Sequence, residues 1–229
     1  LKKIFIASLI ANTLQYGLTY TGLSFIDASA AVLLVQTEVP FGVIFAYFML
    51  KEKPTIRSLV GITIAFVGVY VLTGSPNLDG KFTGVALVII GSGVWALGQV
   101  LVKPLSKEIN PLALVAWMAL FSGPILIALS AIFDGNTINY FKTANFNSWM
   151  IAIYLGFIMQ PITYGCFYYV LKNNPIYKVL PVVTMGIPLT GLLAAIFLLG
   201  EKPTEELFIG GAIIIIGVIL IVFTKPKKN

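Results

Sequence analysis

The sequence predicts an all-α protein, a polytopic bundle of transmembrane helices with eight spans in this chain. Three observations predict it. Of 229 residues, 58% are hydrophobic and 10% charged, where a soluble domain is about 45–50% apolar and about 25% charged. The apolar residues fall into runs close to the ~20 residues a helix needs to cross a bilayer core. The runs also repeat, with matching turn and glycine positions in the two parts of the chain.

The runs lie near 4–26, 28–50, 56–74, 82–102, 111–133, 148–171, 175–200 and 205–224. Each is too long and too continuous for a barrel strand. The first carries Asn12, Gln15, Tyr16 and Thr19 at three- and four-residue steps, which places them on one helix face. The second holds Glu38 about ten residues in, near the bilayer centre at ~1.5 Å per residue, with Pro40 just beyond. The third has Gly61 and Gly68 and almost no polar group. On the fourth, Ser92, Trp95 and Gln99 share a face. Pro124 interrupts the fifth. A polar connection, 134–147, then reads as a surface loop. The sixth run aligns Gln160, Tyr164 and Tyr168, next to Pro161 and the single cysteine, Cys166. The seventh begins near Lys178 and contains Pro181 and Pro188, and the eighth carries Gly210 and Gly217.

The net charge of +6 resides in the short gaps. Twelve of the 15 lysines and arginines fall on the side that holds both chain ends, with Lys81, Lys142 and Lys202 on the other. Basic residues in short loops are retained in the cytoplasm, so both ends are expected there, in a cell membrane. The bases read as topology signals and lipid-headgroup contacts, not as a nucleic-acid patch. Lys178 either draws an anionic ligand or snorkels to headgroups. With no histidine and no metal-ligand spacing, neither a metal nor a cofactor is called for.

Residues 50–55 read Leu-Lys-Glu-Lys-Pro-Thr and residues 199–204 read Leu-Gly-Glu-Lys-Pro-Thr, 149 positions apart. The same offset carries Gly61 to Gly210 and Gly68 to Gly217. An offset of 148 carries Asn12 to Gln160, Tyr16 to Tyr164, Gly17 to Gly165, Tyr20 to Tyr168 and Pro40 to Pro188. The division expected is 1–80 as the last three spans of a first repeat and 81–229 as a five-span second repeat. By that arithmetic roughly 70 residues, enough for two helices, precede Leu1, and the intact protein has ten spans. Five spans per copy send the second copy into the membrane from the opposite face, an inverted repeat of the kind common in secondary transporters.

With these residues in view, the chain resembles the EamA-type permeases of the drug/metabolite transporter superfamily. The likeness rests on the ends Leu50-Lys51-Glu52-Lys53-Pro54 and Leu199-Gly200-Glu201-Lys202-Pro203. Each follows a run with a proline, Pro40 or Pro188, and precedes a run with spaced glycines. The resemblance covers the whole chain as spans three to ten of ten. It implies export or exchange of amino acids, related metabolites or toxic compounds, commonly driven by ion gradients. The small four-span relatives carry a proton on a glutamate of their first helix; Glu38 does not match that position.

Read this way, the chain is a permease that moves small metabolites, amino acids or related compounds, by alternating access. Its partners are the bilayer and a small-molecule substrate, with a homodimer left open. Substrate-binding groups are expected at Asn12, Gln15, Tyr16, Trp95, Gln99, Gln160, Tyr164 and Tyr168. Amides with aromatics suit a zwitterionic or amphipathic ligand; the bland alternative is helix-to-helix hydrogen bonding. Glu38 is expected to couple protons, because a neutral carboxyl costs less at the midplane than a charged one, or else to be a neutral structural group bonded near Pro40. Pro40 and Pro188 are expected as hinges, or as static kinks. The glycines read as helix packing, and the ends at Glu52 and Glu201 as helix ends or short turns whose exposed ion pairs would contribute little. Two other classes compete. A membrane-embedded enzyme needs a convergent catalytic set, and a channel needs a filter; neither stands out, and no catalytic residue is expected.

Overall fold

The computed structural model describes residues 1–73, 78–133, 135–177, 179–180 and 186–222, without the side chains of 73, 186–189 and 222. The described residues are helical, with no strand among them. Helix α1 covers 2–23 through three joined stretches, Lys2–Ser8, a π-helical Leu9–Leu14 and Gln15–Leu23. Then follow α2 (Ala28–Leu50), α3 (Ile56–Thr73), α4 (Phe82–Glu108) and α5 (Pro111–Phe133). The short α6 (Thr137–Thr143), α7 (Phe146–Asn173), α8 (Gly186–Leu199) and α9 (Glu205–Val222) complete the order. Among the described residues four helices, α2, α4, α5 and α7, are long and apolar enough to cross a membrane.

Two boundaries differ from the sequence reading. The fourth helix continues beyond 102 to Glu108, through Pro104. The connection expected as a loop over 134–147 contains α6, a short helix disguised by Asn139 within it and by Gly135, Asn136 and Asn145 around it. The joints follow from local chemistry. Asn110 accepts from the backbone N–H of Leu112 at 2.9 Å and Pro111 opens α5, an N-cap followed by the residue that best tolerates the first helical position. Asn145 caps α7 by accepting from Ser148 N–H at 2.8 Å.

Helix α4 is the central post. Along α1, which runs antiparallel to it, Gly22 meets Gly84, Thr19 meets Gly91 and Ala11 meets Gly98. Along α2, which runs parallel, Asp27 pairs with Lys81 at 3.4 Å, Phe41 covers Gly93 and Glu52 pairs with Lys103. One apolar core gathers Leu105, Leu114, Met118, Phe167, Tyr168 and Leu171 at the end of α4. A second gathers Leu33, Leu34, Leu72, Val88, Leu207 and Ile214 at its start. The outward faces stay apolar, with Phe157 81% and Phe197 79% exposed, as lipid contact requires.

The most extensive helix crossing among the described residues is between α3 and α9. A methyl group at Gly61 would come 2.6 Å from the carbonyl oxygen of Gly217, and one at Gly68 would come 2.8 Å from that of Gly210. These are the four repeat-related glycines, and each meets the counterpart of the other. Two further contacts exchange roles in the same way. Gly42 packs on Leu180 and Gly191 on Val32; Glu52 accepts from Ile176 N–H at 3.0 Å and Glu201 from Ala28 N–H at 2.9 Å.

The matched Glu-Lys-Pro segments fold alike. Glu52 N–H donates to Ala46 O at 3.2 Å and Glu201 N–H to Ala195 O at 3.1 Å. The residue before each glutamate is left-handed, Lys51 at φ 59° and Gly200 at φ 70°. This is a left-handed helix stop, one residue wider than a Schellman turn, with the proline barring any further helix. Burial alone would push the Glu201 carboxyl up, but hydrogen bonds from Ser29 and Ala28 and the charge of Lys81 outweigh it and hold it below its ordinary 4.5. Stabilisation from a depressed carboxylate is complete above the unfolded value and is lost as pH falls through the folded one. Melting temperature should therefore decline below about pH 4.5, and decline less in Glu201→Gln. Parallel acid profiles for the two proteins would refute the linkage.

Candidate functional site

Helices α1, α4 and α7 bring the amide and phenol groups together. Gln160 Nε2 donates to the Tyr16 hydroxyl at 2.8 Å, and Trp95 Nε1 donates to the Tyr164 hydroxyl at 3.4 Å. The Tyr164 ring lies 5.7 Å from Tyr168 and 6.2 Å from Phe167, and Trp95 lies 5.9 Å from Phe167. Tyr16 also stands 5.6 Å from Tyr20. The local backbone explains part of this. Pro161 has no N–H to offer the Phe157 carbonyl, and the helix before it, Tyr154–Met159, widens to π geometry. The equivalent helix α1 widens over Leu9–Leu14, so each stripe is presented next to a wide turn.

The remaining predicted groups divide. Asn12 donates to Ser122 Oγ of α5 at 3.3 Å, a partner the sequence did not reveal because nothing around Ser122 sets it apart within its apolar run. Gln15 donates to Thr19 Oγ1 of its own helix at 3.1 Å. Gln99 is fully buried with neither amide atom hydrogen-bonded. Tyr168 is 2% exposed, and its hydroxyl points to Met118 Sδ at 3.7 Å. It packs beside the Trp95–Tyr164 pair and is not part of a hydrogen-bonded chain with it.

Glu38 is 4% exposed, and its Oε1 has no hydrogen-bond partner. Pro40 removes the donor that would meet the Gln36 carbonyl, and Val35–Thr37 tightens to a 3-10 turn immediately before Glu38. The buried carboxyl thus lies at the irregular point of α2. Pro188 falls within α8, and its side chain lies outside the described residues, as do Lys178 and Pro181.

Two clefts open on the outside of the bundle. One, of about 570 Å³, lies between Pro111, Leu112, Pro161, Gly165, Cys166 and Tyr169. The other, of about 520 Å³, lies between Val43, Tyr47, Lys53, Pro54, Leu59 and Ile62. Neither includes a residue of the stripes.

Glu52 and Glu201 are the groups that sequence reasoning undervalued. Both carboxylates reach other helices. Glu52 pairs with Lys103 of α4, with side chains 15% and 10% exposed, and accepts from Ile176 N–H. Glu201 accepts from Ala28 and Ser29 N–H at 2.9 Å each, at the start of α2. Their recurrence in the repeat was the available signal.

Comparison with known proteins agrees with this architecture. The model of the EamA-like transporter family matches residues 1–74 and 82–223. A "Probable amino-acid metabolite efflux pump" of Escherichia coli (strain K12) is 28% identical over 218 residues, covering 91% of this chain and 72% of that protein. An "Uncharacterized transporter" of Clostridium kluyveri is 27% identical over 232 residues, covering 99% of this chain and 72% of the relative. A solved crystal structure superposes with a TM-score of 0.64 at 14% identity, covering 96% of this chain and 77% of the other. With the match running from the first helix through the last, this multi-pass membrane chain belongs to the EamA-like transporter family.

Proposed function

We propose that the chain moves small metabolites, amino acids or related compounds, by alternating access through a path between α1, α4 and α7. The observation that carries the reading is the meeting of polar stripes: Gln160 bonds Tyr16 across the equivalent helices α7 and α1, and Trp95 of α4 bonds Tyr164 beside them. Polar groups that satisfy one another inside a membrane bundle can exchange those bonds for a ligand's at small net cost. The fully buried, unpartnered Gln99 adds an amide that a ligand could satisfy. The name of the Escherichia coli relative supports amino-acid metabolites as cargo and export as direction.

The three contacts that exchange roles support an inverted repeat, since a two-fold relation makes residue i meet j′ and j meet i′. On that plan, 1–80 belongs to a first repeat and 81–229 to a second, the eight runs all span the membrane, and both chain ends face the cytoplasm. Pro40 and Pro188 are the hinges, and Glu38 carries the coupled proton.

The test is thermal stability of the purified full-length protein against a panel of L-amino acids. A ligand that binds only the folded state raises the melting temperature saturably. A saturable shift is expected, with Gln160→Ala weakening the binding about tenfold, the value of one or two hydrogen bonds. Unchanged saturation in that variant would remove the site. In proteoliposomes, Glu38→Gln is expected to uncouple transport from the proton gradient. Full transport that still responds to the gradient would take Glu38 out of the mechanism.

A further inference from the structure

We propose that Glu52 and Glu201 are paired latches, one at each membrane face, and that their release in turn opens the two ends of the transport path. The inference rests on the alternating-access reading above. Glu52 lies two residues beyond Leu50, the last of α2, and Glu201 holds the first turn of the same helix. Helix α2 has 23 residues, so the two carboxylates stand about 35 Å apart, on opposite sides of a bilayer core.

Each latch joins elements that are distant in the chain. Glu52 ties the turn between α2 and α3 to α4 through Lys103, and to the chain at Ile176. Glu201 ties the turn between α8 and α9 to α2 through Ala28 and Ser29. Each carboxylate is aimed by the same rigid stop, a left-handed residue followed by the closure onto Ala46 or Ala195. A hydrogen-bonded carboxylate at the rim can be released without parting an apolar core, whereas backbone in contact cannot. The latches therefore sit where ends can move, and the α3–α9 crossing sits where they cannot. Between the latches, α2 contains its weak point, the 3-10 turn Val35–Thr37 followed by Pro40, which lets its two ends move independently. Both latches are fastened in this structure, so it is closed at both ends.

The experiment measures accessibility at the two ends of the full-length protein in a Cys166→Ser background. Single cysteines are introduced at Ser106, fully buried on α4 one turn from Lys103, and at Ala30, fully buried in the first turn of α2. Labelling by a water-soluble maleimide is measured on monodisperse, folded protein. Glu52→Gln keeps an acceptor for Ile176 and loses the charge opposite Lys103, so it is the mild variant; Lys103→Met breaks the same latch from the other side. Both should label Ser106→Cys about tenfold faster and Ala30→Cys more slowly, a shift in population between two states. Glu201→Gln should do the reverse. Faster labelling at both positions in any latch variant would mean a loosened fold, and unchanged labelling an idle contact; either overturns the latches. A panel of L-amino acids applied to the chain with intact latches separates the two readings. Reciprocal change under an amino acid, with latch variants at the parent rate, rejects the latches and leaves alternating access standing. Reciprocal change under neither rejects both.

Discussion

Gly61→Val is expected to cost the protein most of its stability, at least ~3 kcal/mol and more than any surface substitution. The first added carbon would lie 2.6 Å from Gly217 O, 2.8 Å from Ile221 Cγ1 and 3.1 Å from Ile221 N. Two of those three atoms are backbone, so no rotamer change relieves the clash, and α9 has to move as a body. Moving it separates Leu72, Ile214 and Ile221, all fully buried in one core. Gly17→Ala is the matched control. Nothing lies within 4 Å of the added carbon there, and alanine gains up to ~1 kcal/mol of helix propensity over glycine. Thermal or denaturant unfolding in detergent measures both. A Gly61→Val protein within about 0.5 kcal/mol of the parent would mean that α3 and α9 are not in contact.

Glu52→Ala is expected to be nearly as damaging, and worse than Lys103→Met. Removing the carboxylate leaves two groups without their partner, the Lys103 ammonium and the Ile176 N–H. Breaking a buried pair from one side costs about 3–5 kcal/mol, and at this membrane rim, where the side chains are 10% and 15% exposed, about 2–3 kcal/mol is expected. Lys103→Met leaves a carboxylate that still accepts from Ile176, so about half that loss is expected. The double variant should recover part of the loss, because the ammonium that Glu52→Ala strands is gone. Additive losses in the double-mutant cycle would show that the two side chains do not interact.

What could be read in advance follows a physical divide. Hydropathy and helical spacing are properties of neighbours along the chain, and they placed the helices and set Gln160, Tyr164 and Tyr168 on one face of α7. The repeat added a long-range signal, and the close approach of Gly61 and Gly68 to Gly217 and Gly210 realises the packing it suggested. Partner choice was not legible. Asn12 reaches a serine on α5, and Gln15 turns back to Thr19. Glu52 could be read as a helix end, but nothing near position 52 says that its carboxylate meets a backbone 124 residues away. Helix α6 was hidden because its length is below what hydropathy resolves and its residues read as loop formers.

The α3–α9 crossing also has a consequence for how the protein is made. Gly61 and its contact Gly217 are separated by 156 residues. At about 5–20 residues per second, α3 leaves the ribosome roughly 8–30 s before its partner exists. For that interval its glycine face lacks the helix that will cover it, and Leu72 the one that will help to bury it. A nascent chain stopped before α9 would keep this glycine face uncovered, a lasting mark of incomplete synthesis.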